Sequence, residues 1–289
     1  MDDSLELVIE ARARDLGGFS VGRVLPAPAR RALGPFVFLD HMGPAEFAPG
    51  HGFDVRPHPH IGLATVTSLF EGEMMHRDSL GFVQAIRPGE LNWMTAGRGI
   101  MHSERSPDSL RSSGGRLHGL QLWVALPRSA EECEPTFEHL EGDALPSFEL
   151  NGARLRLLAG EAYGHTAKVR VASRLFYVLV ELAEGASLAV PEEYGERGAY
   201  IVSGSIGFGG SVHAARRLLA FKEGRAEVTA REPTRLALIG GDPLDGMRYI
   251  EWNFVSSSRE RIEVAKRDWR ERRFPLIPTD AAEFIPLPE

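Results

Sequence analysis

Two short stretches of the chain carry donor side chains in pairs. His58 and His60 flank a proline in "RPHPHIGLATVTSLFEG", and His102 and Glu104 flank a serine in "MTAGRGIMHSERSP". Successive side chains of a β-strand point to opposite faces, so residues two apart share one. A Thr/Val run follows the first pair, and the glycines of "TAGRG" predict a tight turn feeding a strand that holds the second. Each pair therefore projects to one place, and two such strands can close on a single ion with three imidazoles and a carboxylate. Nitrogen and oxygen donors of this kind suit Fe, Mn, Co, Ni, Cu or Zn, and ligand type alone does not choose among them. One carboxylate beside three neutral imidazoles leaves a divalent ion with net positive charge, which favours an anionic ligand in any open position.

The remaining candidates are weaker. His76, in "EMMHRDSLG", follows Gly72 on a strand that can pass the same interior, and it reads as a structural or pocket-lining residue rather than a ligand. His41 and His51 read as loop residues, and His118, alternating with Leu117 and Leu120, as a core histidine. His139, His165 and His213 carry no motif, and Cys133 stands alone with no His or Asp signature beside it. The G-R-G of "MTAGRG" lacks the Lys-Ser/Thr and the helix of a phosphate loop.

The elements that must position these residues are mostly strands. Runs such as "GPFVFLD", "ATVTSLF", "LHGLQLWVALP", "RLFYVLVEL" and "RLALIGG" recur at short intervals between turn residues, the pattern of an all-β barrel or sandwich. One helix is predicted, in "SSSRERIEVAKRDWRERR", with serines able to cap it and Ile262, Ala265 and Trp269 at helical spacing. Its basic residues alternate with Glu263, Asp268 and Glu271, so it reads as a solvated helix face packed by Trp269 rather than a nucleic-acid site. The acidic segment 128–150 reads as a connection between halves. A weak internal repeat aligns Gly72 with Gly204 and puts Val190 and Glu192 where His58 and His60 stand, so chemistry belongs to the first half.

The bulk numbers restrict the class. A chain of 289 residues is long enough for two domains at about 150 residues each. Hydrophobic content of 43% and charged content of 25% are those of a globular protein with a substantial core. A net charge of -7 gives no electrostatic footprint for nucleic acid. The acidic start "MDDSLELVIEARARDLGG" does not match a signal peptide, and no apolar run approaches the roughly 20 residues needed to span a bilayer. A single cysteine excludes a disulfide framework and fits a reducing cytoplasm. The expected boundaries are 1–135 for a metal-binding barrel, 150–255 for a barrel without ligands, and 256–289 for a C-terminal helix and tail.

The motifs resemble a known family. "GFDVRPHPH" fits the first cupin signature, with Gly52, His58 and His60 in place. The usual first-motif Glu position is held by Thr65, six residues intervening before Gly72, and the missing carboxylate reappears as Glu104 in "HSE". Together with "GGFSVGRVLP", "GPFVFLDHMGP", "HRDSLG" and "MTAGRGIMHSE", this order of motifs resembles the pirin family of bicupins, strongly over 17–127 and more weakly in "WNFVSSSRERIEVAKRDWRERRF". The resemblance implies two antiparallel cupin-type β-barrels facing each other, and one metal ion, usually iron, Fe(II), in the N-terminal one. Carried over residue by residue, the family's ligands fall on His58, His60, His102 and Glu104.

Some members of that family are quercetinases, which open the central ring of flavonols with O2; others are redox-sensitive partners of transcription factors or metabolic enzymes. The leading expectation is a mononuclear metal-dependent dioxygenase acting on a small phenolic substrate, with Glu104 accepting the substrate's hydroxyl proton. Phe53, Met74, Trp93 and Met101 are the expected apolar wall. The alternative is a metal-containing regulatory protein that binds a protein partner without turnover.

Overall fold

The computed structural model describes residues 4–15 and 19–288. Gly17 and Gly18 of "GGFSVGRVLP", and the first three residues of the acidic start, lie outside the described residues. The described chain is mostly β-sheet, with two α-helices, Asp108–Ser113 and Arg259–Arg270. Each apolar run quoted above lies in a strand, among them Phe36–Phe47, Leu63–Glu71, Gly115–Ala125, Leu175–Leu182 and Thr234–Gly241. Among the described residues no helix is long and apolar enough to cross a membrane.

The chain divides into two compact units that interleave along the sequence. One gathers Met1–Arg14, Val21–His41 and Glu141–Pro243; the other gathers Asp15–Ser20, Met42–Leu140 and Leu244–Glu289. The expected boundaries followed chain order, whereas here the C-terminal helix and tail belong with the histidine-bearing unit.

That unit contains two antiparallel sheets. The first runs Asp54–His60, Ile100–Arg105, Met74–Asp78, Val83–Ile86. The second holds Thr136–Leu140, Leu91–Thr95, Leu63–Glu71 and Gly115–Ala125 as successive neighbours. Strand Ile100–Arg105 shows why both faces of the first sheet are buried. Ile100, His102 and Glu104 share one face by the two-residue period, and Met101, Ser103 and Arg105 share the other. On that outer face Met101 joins Ile61, Phe254, Ile262, Ala265 and Trp269 in one apolar cluster. The helix therefore forms as predicted: Ser258 accepts a hydrogen bond from the Arg261 N–H at 3.2 Å, and Ile262, Ala265 and Trp269 are its buried residues. Burial of a side chain such as Ile262 contributes about 1.5–3 kcal/mol.

The tail continues the brace. Asp280 accepts from Ser103 Oγ at 2.8 Å and from Arg105 Nε at 2.7 Å. The turn predicted from "TAGRG" is present as well. Gly97 has φ +50°, and a Cβ there would collide with the Cys133 carbonyl oxygen, so only glycine serves. The segment 128–150 is more ordered than its sequence suggests, since Thr136–Leu140 pairs with Leu91–Thr95. None of its residues is fully buried, so this edge strand lacks the apolar alternation by which a strand is recognised.

The other unit repeats the design, with Leu5–Glu10, Arg217–Phe221, Glu196–Ser203, Thr234–Gly241, Leu175–Leu182, Ala153–Ala162 and Ser147–Leu150 in one sheet. Ser187–Ala189, Glu227–Ala230, Ser205–Phe208 and Ser211–Ala214 form the second. Val190 is buried and Glu192 exposed, both beyond the end of Ser187–Ala189, so the repeat-equivalent positions do not share a strand face.

Candidate metal centre

The site begins with an irregularity of the backbone. His102 lies opposite His58 and Ile100 opposite His60, but Glu104 lies opposite Val55, so strand Asp54–His60 carries one extra residue between them. Such a bulge re-aims the side chains beside it. It also frees two carbonyls from the ladder. That of Arg56 accepts from His58 Nδ1 at 2.9 Å, and that of Pro57 accepts from the Ile285 N–H of the tail at 2.8 Å.

The three imidazoles converge. His58, His60 and His102 each present a ring nitrogen, and these atoms lie within 4.8 Å of one another, the one such group among the described residues. All three side chains are buried. A carbonyl only accepts, so the contacts of His58 Nδ1 with Arg56 O and of His60 Nδ1 with Asn253 O, at 3.1 Å, place a proton on each Nδ1. Their Nε2 atoms then carry lone pairs, the tautomer in which a second hydrogen bond orients a ligating histidine. His60 Nε2 stands 3.1 Å from His102 Nε2, so the latter must donate, and His102 Nδ1 is left buried without a hydrogen-bond partner. A cation in place of that shared proton satisfies both Nε2 atoms at once. The donor set fits a metal ion.

Electrostatics point the same way. Burial pushes the His58 imidazolium down to about 4, and burial followed by the neighbouring rings pushes His60 and His102 well below the ordinary range. The rings are neutral at physiological pH, as coordination requires. Because the unfolded chain binds protons near pH 6.5 that folded His58 refuses until about 4, stability of the metal-free protein is full above 6.5 and falls as pH drops through that window. Melting of metal-free protein between pH 7 and 5 should show this drop, smaller in His58→Leu. Equal slopes in the two proteins would contradict it.

Glu104 stands on the same face as His102 and is buried, outside the 4.8 Å group. Burial raises its carboxyl above the usual range. Gln121 Nε2 lies 3.4 Å and Thr67 Oγ1 3.3 Å from its Oε1, while the Thr67 hydroxyl is closer to Gln121 Oε1, at 2.7 Å. Thr67 and Gln121 come from the second sheet, as does Trp123, whose ring meets His60 edge-on at 5.1 Å.

His76 is brought to the site but its Nε2 is engaged by Asp78 Oδ2 at 2.9 Å, and its ring stacks on Phe137 at 4.3 Å. Its centroid is 5.4 Å from that of His102. Asp78, fully buried, also accepts from the N–H groups of Leu80 and Phe82. Sequence reasoning missed Asp78 although "HRD" has the same two-residue spacing as the other pairs. Met101 is a correction: it faces the C-terminal helix, so it is no part of an inner wall. His41 is another, being a buried strand residue whose Nδ1 meets the Tyr200 hydroxyl at 2.7 Å. Cys133 has its thiol pushed up, chiefly by burial, the opposite of an activated nucleophile.

Two cupin-type barrels, one with a buried histidine triad of metal-binding kind, define a bicupin. The family models agree: residues 18–124 match Pirin and residues 177–275 match the Pirin C-terminal cupin domain. The chain is 54% identical to a pirin-like protein of Caulobacter vibrioides over 99% of this chain and 100% of that one. It is 32% identical to pirin of Rattus norvegicus, covering 88% and 87% of the two chains. A crystal structure of quercetin 2,3-dioxygenase from Acinetobacter baumannii superposes with a TM-score of 0.91 at 35% identity, over 98% of this chain and 95% of that one. The chain belongs to the pirin family.

Proposed function

We propose that His58, His60, His102 and Glu104 hold one divalent transition metal, taken as iron(II), and that the protein opens flavonol-like substrates with O2. The observation that carries this reading is the convergence of three buried, neutral imidazoles within 4.8 Å, on the face that also presents Glu104. The likeness to a chain named as a quercetin 2,3-dioxygenase supports the substrate class. A metal held by these residues would act as a Lewis acid and lower the pKa of a hydroxyl bound to it.

The chain's own residues supply the rest. His58 and His60 are held in their ligating tautomer by the Arg56 and Asn253 carbonyls. The carboxylate of Glu104 accepts the proton of the flavonol hydroxyl, and its burial raises its proton affinity above that of an ordinary carboxylate. Oxygen uptake by anaerobically purified, metal-loaded protein given quercetin tests the proposal. We expect uptake that depends on both metal and flavonol. Absence of uptake in the iron, manganese, nickel, cobalt and copper forms would replace this reading with the regulatory one.

A further inference from the structure

We infer that Gln121 is a positioning residue for Glu104, fixing its Oε1 through an amide whose orientation Thr67 sets; the inference rests on the metal-centre reading above. Thr67 and Gln121 lie directly opposite each other on paired strands Leu63–Glu71 and Gly115–Ala125, whereas Glu104 belongs to the other sheet. The carboxylate is thus held from across the barrel rather than by its own strand.

The order of donation follows from counting protons. The Thr67 hydroxyl has one, and of its two acceptors Gln121 Oε1 at 2.7 Å is much nearer than Glu104 Oε1 at 3.3 Å. With Gln121 Oε1 engaged by Thr67, its Nε2 is turned to Glu104 Oε1, 3.4 Å away. The opposite amide orientation would set two oxygens facing each other at that distance, one of them on a carboxylate. Gln121 is therefore the donor to Oε1, and it pins that one oxygen of the carboxylate. A distance of 3.4 Å is long, as contacts of this kind often are before ligands tighten a site.

Cobalt(II) is the probe, because its visible spectrum reports the ligand set without turnover. In Gln121→Leu we expect a changed cobalt spectrum and affinity lower by about 10- to 100-fold, the usual cost of losing an outer partner of a ligand. Thr67→Val should act in the same direction, and its effect should not add to that of Gln121→Leu. In the Glu104→Gln background, Gln121→Leu should change neither spectrum nor affinity, since the carboxylate it positions is gone. Should Gln121→Leu fail to fold by circular dichroism, Gln121→Met, closer in shape, takes its place. A wild-type spectrum and affinity in the Gln121 variant, or an equal effect in the Glu104→Gln background, overturns the inference alone. A wild-type protein that takes up no cobalt overturns the metal-centre reading, and the inference with it.

Discussion

Glu104→Gln should retain its metal and lose flavonol turnover by about 10²- to 10⁴-fold, the range for removing a positioned general base. The substitution keeps the size and one oxygen donor of the side chain and removes only its charge and basicity. Three imidazoles remain to hold the ion, so metal content should fall little while affinity weakens. A base matters only while the substrate arrives with its proton. Raising the pH towards the flavonol's own ionisation should therefore recover part of the lost rate in Glu104→Gln and change the wild type less. The spectrum of quercetin bound without oxygen gives a second view: that of the anion in the wild type, that of the neutral flavonol in the variant at neutral pH. A variant that keeps its metal and oxidises quercetin at the wild-type rate removes Glu104 from the chemistry.

The second large effect is on metal affinity. His60→Ala should weaken binding by at least about 100-fold, since loss of mere outer partners of a ligand costs 10- to 100-fold. The fold should survive. Core residues such as Leu63, Val66, Leu120 and Leu122 are apolar and fully buried without help from an ion, unlike the interior of a zinc finger. Circular dichroism of the metal-free wild type should match that of the variant. A wild-type chain that unfolds when its metal is removed contradicts this part of the account.

What the sequence made legible was whatever repeats with a strand's own period. His58 and His60, and His102 and Glu104, declare themselves because residues two apart share a face, and the capped helix with Ile262, Ala265 and Trp269 because it repeats every three to four. What it hid depends on register between distant strands. Gln121 meets Glu104 only because the pairing places it opposite Thr67. The Asn253 carbonyl orients His60 across 193 residues of sequence, and any residue type supplies a carbonyl, so no pattern announces it. The tail after the helix carries no such period, yet Asp280 ties down Ser103 and Arg105 on the strand that carries His102 and Glu104. The extra residue between Val55 and His58 is likewise invisible in a sequence whose prolines only hint that the ladder is broken there.

The central claim is a single metal centre built from the two donor pairs. Its most direct test is the metal content of anaerobically purified wild type, counted beside that of the double variant His58→Ala/His102→Ala. The account predicts one divalent metal per chain in the wild type and none in the variant. Two metals per chain, or a double variant that keeps its ion, would contradict it.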